Sequence, residues 1–213
     1  AVVQANYPNG SGYCAGNSQE FQFIVHPSPS VPALFDVVCS GQSTNMSIYA
    51  DLPSTYSWSA IPSEGVQGES LLNQNNPTIQ DVLELLGGEA ETVFYEVVAT
   101  SLAHGCNSST STFSCLVQPL PEPAFTTDSQ ALCDSVEVTF VNESANGLLF
   151  EWNYGEGLAS TDVNLPVTFD APGSYSISLG ALDPVTGCEA ELEQTFVVNQ
   201  SPDATFSSSA SYV

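Results

Sequence analysis

Apolar and polar residues alternate along much of this chain with the period of two that is typical of β-strands with one buried face. The clearest alternation lies at residues 55–60, 93–98 and 174–179. The pattern predicts strands at residues 21–25, 35–38, 43–49, 55–60, 91–100, 110–118, 136–141, 148–153, 167–169, 173–182 and 191–198. We therefore expect an all-β fold.

One segment departs from this period. Pro77 stands near the first position of a helical pattern, and Gly87-Gly88 is a typical stop. The apolar residues between them follow helical spacing: Ile79, Val82, Leu83 and Leu86. This pattern predicts one short helix that crosses between two sheets.

Cysteines recur along the chain at similar intervals, which indicates a repeated domain. Cys14 and Cys106 are 92 residues apart, Cys106 and Cys188 are 82 apart, and Cys39 and Cys133 are 94 apart. A proline-rich exit such as Pro119-Leu120-Pro121 follows the later part of each copy. The repeat predicts the C-terminal part of a preceding domain at 1–30, complete domains at 31–122 and 123–202, and the first strand of a following domain at 203–213, joined by short Pro-rich linkers.

The charge balance excludes several functions. The 213 residues include 24 acidic side chains and neither lysine nor arginine. Nucleic acid is therefore not an expected partner, because phosphate neutralisation needs cationic side chains. No apolar run approaches the ~20 residues of a membrane helix, so we expect no direct membrane insertion in this segment.

Six cysteines without a C-x-x-C pair favour disulfides in an oxidising compartment over a zinc site. The repeat predicts that each complete domain links its first strand to the turn before its last strand, as Cys39–Cys106 and Cys133–Cys188. Cys14 is assigned to a domain whose first half precedes the chain. Cys115 has no counterpart in the other copies and is interpreted as a small buried hydrophobe rather than an inter-chain bridge.

Three segments in the C-terminal half carry a resemblance to a known family. They are Trp152-Asn153-Tyr154-Gly155-Glu156-Gly157, Pro166-Val167-Thr168-Phe169, and Ala171-Pro172-Gly173-Ser174-Tyr175-Ser176-Ile177-Ser178-Leu179. In order and spacing they resemble the PKD domain, although Tyr154 replaces the usual Phe and Glu156 the usual Asp. The resemblance implies an immunoglobulin-like β-sandwich of the PKD type, with Trp152 and Tyr175 as core residues.

Residues 31–122 contain a second set of motifs: Val38-Cys39-Ser40-Gly41, Tyr56-Ser57-Trp58, the predicted helix with Ile79 and Leu83, Tyr95-Glu96-Val97, Gly105-Cys106 and the proline-rich exit. On these motifs the segment resembles the PKD-like repeat of Bacteroidetes surface proteins. The resemblance implies a repeat from a large cell-surface adhesin and no catalysis. Asp134-Ser135-Val136 also fits the pattern at which such proteins are O-glycosylated, which makes Ser135 a candidate site.

Candidate chemistry outside the disulfides is sparse. Trp58 and Trp152 are expected in the core rather than as sugar-stacking platforms, because each lies mid-strand where sandwich domains bury a tryptophan. His26 and His104 are expected at the surface, and neither a G-x-S-x-G nor an H-E-x-x-H motif is present. We therefore predict no enzyme activity.

Two groups of acidic residues are candidate calcium ligands. One lies beside the predicted helix and consists of Glu89, Glu91 and Glu96; the other surrounds Cys188 and consists of Asp183, Glu189, Glu191 and Glu193. No D-x-D-x-D-G loop accompanies them, so a solvated acidic face is preferred and no cofactor or metal site is predicted.

The sequence thus predicts a non-catalytic segment of a large extracellular surface filament or adhesin stalk. Its expected partners are neighbouring repeats of the same chain, with self-association into filaments as a further possibility. One alternative is a PKD-type accessory or glycan-binding module of a secreted hydrolase. Another is a fibre subunit that polymerises by strand exchange, with residues 1–32 completing a neighbour.

Overall fold

The computed structural model describes residues 2–9, 12–128, 133–145, 148–155 and 158–205, with the backbone alone for residues 2–9 and 12–15. These residues form strands joined by turns and extended segments, and the described ranges contain no helix. The strands are β1 Val2–Asn9, β2 Gly12–Glu20, β3 Phe35–Cys39, β4 Gln42–Ser43, β5 Met46–Ser47, β6 Ser54–Ile61, β7 Val66–Gln67, β8 Thr78–Ile79, β9 Val82–Leu85, β10 Glu91–Ser101, β11 Ser111–Gln118, β12 Phe125–Thr127, β13 Val136–Asn142, β14 Leu149–Asn153, β15 Ala159–Ser160, β16 Leu165–Phe169, β17 Gly173–Leu182 and β18 Glu189–Val198.

The N-terminal strands β1 and β2 pair with each other as an antiparallel hairpin. The strand predicted at residues 21–25 is not formed, and the side chains of that segment are exposed to solvent. Val25, for example, is 90 % exposed. Further along, Ser30 and Asp51 exchange hydrogen bonds, which attach the segment to the domain that follows.

Strands β3 to β11 form the first sandwich. Its larger sheet has the order β3-β11-β10-β6, and its opposing layer consists of the short strands β4-β9-β7 and β5-β8. Strand β3 runs parallel to β11, whereas β10 is antiparallel to both of its neighbours. The alternating residues of β10 place Val93, Tyr95 and Val97 in the core, fully buried.

The predicted helix is wrong. The segment instead forms β8 and β9, which pair with β5 and with β4 and β7. Ile79 and Leu83 are fully buried, whereas Val82 and Leu86 are exposed. Burial alternates without a break from Ile79 to Leu83, and the inward position between these two residues is occupied by the acid Asp81. Because that inward residue is polar, the apolar residues alone show a four-residue spacing that resembles a helix.

Strands β12 to β18 form the second sandwich. One sheet has the order β12-β13-β16 and the other the order β15-β14-β17-β18. Alternation along β16 buries Leu165, Val167 and Phe169 against the facing sheet.

Each sandwich has its own hydrophobic cluster. The first cluster contains Trp58, Ile79, Leu83, Tyr95 and Phe113. The second cluster contains Phe125, Phe140, Trp152, Leu165, Phe169, Ile177 and Leu179. The described part of the chain includes no helix that is long and apolar enough to cross a membrane.

Candidate functional site: a disulfide between two sandwiches

A single disulfide joins the two sandwiches. Cys39 at the end of β3 is bonded to Cys188 immediately before β18, with 5.6 Å between the Cα atoms and a sequence separation of 149. Both cysteines are buried, at 8 % and 1 % exposure. This bond replaces both pairs predicted from the sequence, Cys39–Cys106 and Cys133–Cys188.

The position of Cys39 follows from the direction of β3. Because β3 is parallel to β11, Cys39 lies beside Gln118, where the last strand of the first sandwich ends. The Ser40 N–H donates to the Gln118 carbonyl oxygen at 2.8 Å, and Gly41 turns the chain back with a φ of +82°. A residue with a side chain rarely adopts that φ. Cys39 is therefore held at the end of the sandwich that faces the second one.

Cys188 lies in the β17–β18 hairpin, which is closed by backbone and side-chain hydrogen bonds. The Asp183 N–H donates to the Cys188 carbonyl oxygen at 2.9 Å, and Gly187, with a φ of +75°, donates to the Asp183 carbonyl oxygen at 2.8 Å. The Asp183 carboxylate accepts from the Val185 N–H at 2.9 Å and the Thr186 hydroxyl at 3.0 Å. The Val185 N–H, followed by the Thr186 hydroxyl, lowers the pKa of Asp183 below its ordinary value.

The predicted pairs fail for a geometric reason. Cys106 precedes β11, whereas Cys39 lies beside the end of β11. At ~3.3 Å per residue that strand separates them by roughly 23 Å, whereas bonded cysteines need Cα atoms within about 7 Å. In the second sandwich Cys133 forms a β-bridge with Asn199, which follows the end of β18, whereas Cys188 precedes the start of β18. The length of β18 therefore separates Cys133 from Cys188.

Three of the cysteines whose side chains are described are free thiols: Cys106, Cys115 and Cys133. Cys115 is fully buried, as predicted for a small hydrophobe. Burial, with a smaller contribution from the Asp36 charge, raises the pKa of Cys115 to about 12. Its thiol is therefore neutral at physiological pH and a poor nucleophile. Cys106 is half-buried and Cys133 is exposed, so these two are the accessible thiols.

Both tryptophans lie inside the sandwiches. Trp58 is 3 % exposed and Trp152 is fully buried. Each indole N–H donates to a backbone carbonyl oxygen at 3.0 Å, from Asn76 and Asp162 respectively. Neither ring face is open to a sugar.

Tyr175 is half-buried at the rim of the second core. Its ring centroid lies 4.4 Å from that of Phe169, and its hydroxyl donates to the Ala171 carbonyl oxygen at 2.7 Å.

The structure brings together two histidines that the sequence treats separately. The rings of His26 and His104 are stacked, with centroids 3.5 Å apart, and both side chains are exposed. They meet because the extended segment before Ser30 runs past the β10–β11 hairpin. No local sequence signal reports this contact between residues 78 positions apart.

The acidic side chains do not gather as the predicted helix would have placed them. Glu91 and Glu96 lie on β10, five residues apart and so on opposite faces, whereas Glu191 and Glu193 share a face of β18. Among the described residues no three His, Cys, Asp or Glu side chains converge as metal ligands. Ser135, the candidate glycosylation site, is exposed two residues after Cys133.

An apolar row crosses the outer face of the larger sheet in the first sandwich. Ile61, Phe94, Ser114 and Phe35 are register partners on four adjacent strands. Phe35 is 65 % exposed and Phe94 is 45 % exposed. The two rings are anchored two strand spacings apart, about 10 Å.

Comparison with known proteins identifies one domain family. The family model described as a PKD-like domain matches residues 36–123. No curated protein matches the chain.

Three solved structures illustrate what the chain is similar to. The PKD1 domain of the Vibrio cholerae metalloprotease PrtV is 26 % identical, with 38 % of this chain and 99 % of that chain covered and a TM-score of 0.32. The PKD1 domain of Vibrio anguillarum Epp is 23 % identical, with 38 % and 96 % covered and a TM-score of 0.33. The titin domains Z1Z2 in complex with telethonin are 14 % identical, with 84 % and 100 % covered and a TM-score of 0.32.

The family match covers the first sandwich, including Cys39 and Trp58. Together with the all-β architecture, it supports a PKD-like, immunoglobulin-like domain in this part of the chain.

Proposed function

We propose that this chain is a non-catalytic structural segment of an extracellular surface filament or adhesin stalk. The observation that carries the proposal is the Cys39–Cys188 bond, which joins the end of one sandwich to the beginning of the next. A disulfide of this kind persists in oxidising compartments, which supports a location outside the cell. Neighbouring repeats of the same chain are the proposed partners.

The placement of the disulfide gives the segment a short path for tension. A force on the two chain ends enters the first sandwich through β3, crosses from Cys39 to Cys188, and leaves through β18. Residues 40–187, with all the strands from β4 to β17, lie inside the covalent loop and outside this path. Tension therefore acts on one strand of each sandwich, and the remaining strands cannot be drawn out while the bond is intact.

Single-molecule pulling from the two ends tests this function. The oxidised protein should not release the 149-residue loop, whereas the reduced protein should release roughly 50 nm of additional length at ~3.5 Å per residue. A Cys39→Ser variant under oxidising conditions is the control and should behave like the reduced protein. Identical extension of the oxidised and reduced proteins would show that tension does not pass through the disulfide.

A second candidate function is suggested by the exposed row that contains Phe35 and Phe94. Aromatic side chains in line on one sheet face suit stacking against a polysaccharide, as in the accessory modules of secreted hydrolases. The test is titration with soluble polysaccharides monitored by calorimetry. Binding that is lost in Phe35→Ala and Phe94→Ala, but kept in Val185→Ala at an exposed site on the second sandwich, would favour this function.

A further inference from the structure

The two β-hairpins that carry cysteines have the same hydrogen-bond frame. In the first sandwich the Ser101 N–H donates to the Cys106 carbonyl oxygen at 2.9 Å, and Gly105, with a φ of +68°, donates to the Ser101 carbonyl oxygen at 2.9 Å. In the second sandwich Asp183, Cys188 and Gly187 make the two corresponding bonds at 2.9 and 2.8 Å. Cys106 therefore occupies the position in the first sandwich that Cys188 occupies in the second.

The two cysteines at the entry strands also correspond. Cys39 is the parallel partner of Gln118, and the next residue donates its N–H to the Gln118 carbonyl oxygen at 2.8 Å. Cys133 is the parallel partner of Asn199, and the N–H of Asp134 donates to the Asn199 carbonyl oxygen at 2.9 Å. Cys133 therefore occupies the position in the second sandwich that Cys39 occupies in the first.

The bonded pair of cysteines indicates which bond the free pair can form. Cys39 and Cys188 are bonded across a junction, and Cys133 and Cys106 are the same two positions without a partner. We propose that Cys133 of one copy of this chain forms a disulfide with Cys106 of the next copy, which repeats the junction between molecules. This inference rests on the proposed function and adds to its partners a second copy of the chain, together with the bond that joins the copies.

Cys106 and Cys133 cannot form a disulfide with each other within one chain. Cys106 is separated from Cys39 by the length of β11, and Cys133 is separated from Cys188 by the length of β18. They lie at the outer ends of the two sandwiches, on either side of the existing bond. A contact between two different surfaces leaves one free thiol at each end of every oligomer, so copies add in a line unless the rotation between them closes a ring.

The surface beside Cys106 has an apolar cavity that a second copy of the chain could cover. An apolar cavity of about 370 Å³ lies next to its hairpin, lined by Pro27, Leu52, Pro53 and residues 101–104. Leu102 is 67 % exposed there. Two copies that each carry 24 acidic and no basic side chains repel one another, so we expect the contact to need high ionic strength.

Bond formation proceeds by thiol–disulfide exchange with a small-molecule disulfide such as oxidised glutathione. The Cys106 thiol loses a proton, and its thiolate attacks one glutathione sulfur, which forms a mixed disulfide and releases one glutathione thiolate. The deprotonated Cys133 of the second copy then attacks the Cys106 sulfur and releases the second glutathione thiolate. Two protein thiols are oxidised, and one glutathione disulfide is reduced to two thiols.

The test uses the chain of residues 1–213 with Cys14→Ser throughout, so that this further thiol does not contribute. Chains with both Cys106 and Cys133 should form a ladder of covalent oligomers in a glutathione buffer at high salt and protein concentration. Cys106→Ser and Cys133→Ser should each remain monomeric. A one-to-one mixture of these two variants should form dimers and nothing larger. Cys115→Ala is the matched control and should leave the ladder unchanged.

Mass spectrometry of non-reduced peptides identifies the bonds. Cys106–Cys133 as the intermolecular link supports the proposal. A mixture that stays monomeric, or either single variant that dimerises through two identical cysteines, would overturn it. If Cys39–Cys188 is nevertheless present, the proposed function stands and this inference alone fails; if Cys39–Cys188 is absent, both fail.

Discussion

The two sandwiches share a pattern of backbone hydrogen bonds but differ in the side chains of their cores. Each buries a tryptophan whose indole N–H is bonded to a backbone carbonyl, and in each a segment with a cysteine runs parallel to the end of the last strand. The first sandwich includes buried polar side chains at Thr44 and Asp81. The second packs a cluster of aromatic rings around Phe140. Backbone hydrogen bonds thus define the module, while its interior can be stabilised by different chemistry.

The largest expected effect lies in the aromatic cluster. Phe140 is 1 % exposed and contacts four rings, those of Phe125, Trp152, Phe169 and Phe196. Phe140→Ala should destabilise the second sandwich by about 3–5 kcal/mol, because a buried ring is replaced by a cavity. Chemical denaturation measures this loss. Phe94→Ala in the exposed row of the first sandwich is the control, and an equal loss there would contradict the difference in packing.

A smaller effect is expected from the polar interior of the first sandwich. The Asp81 carboxylate accepts from the Ser70 N–H at 2.8 Å and from the Ser70 hydroxyl at 2.7 Å. Asp81→Ala leaves both donors without this acceptor and should cost about 1–3 kcal/mol. Asp170→Ala, at an exposed position in the second sandwich, is the matched control. Equal free energies of unfolding for the two variants would show that the buried contacts do not stabilise the first sandwich.

The smallest effect separates the two cysteine hairpins. Asp183 has a lowered pKa, and Ser101 takes its place in the first sandwich. Because the folded pKa lies below the unfolded value of about 3.9, the stabilisation is present above that value and is lost as the pH falls through the folded pKa. Carboxyl carbon shifts from an NMR titration should place the midpoint of Asp183 in the folded protein below that in the denatured protein. An equal or higher midpoint in the folded protein would contradict the hydrogen bonds assigned to this hairpin.

The sequence predicted most of the strands because alternation is a local property, and β10 and β17 follow it closely. The helix predicted between Pro77 and Gly87 is wrong because the acid Asp81 fills an inward position of an unbroken alternation, which leaves Ile79 and Leu83 at a spacing that resembles a helix. The cysteine spacing predicts a repeat but not the pairing of the cysteines. Their pairing was wrong because the parallel direction of β3 against β11 is a tertiary feature that no local pattern reports.

The disulfide that joins one sandwich to the next can be tested directly. The measurement is peptide mapping of the non-reduced protein by mass spectrometry. A protease that cuts after acidic residues is needed, because the chain offers trypsin neither lysine nor arginine. The account predicts a peptide pair that contains Cys39 linked to Cys188. Peptides linking Cys39 to Cys106 and Cys133 to Cys188 would contradict it.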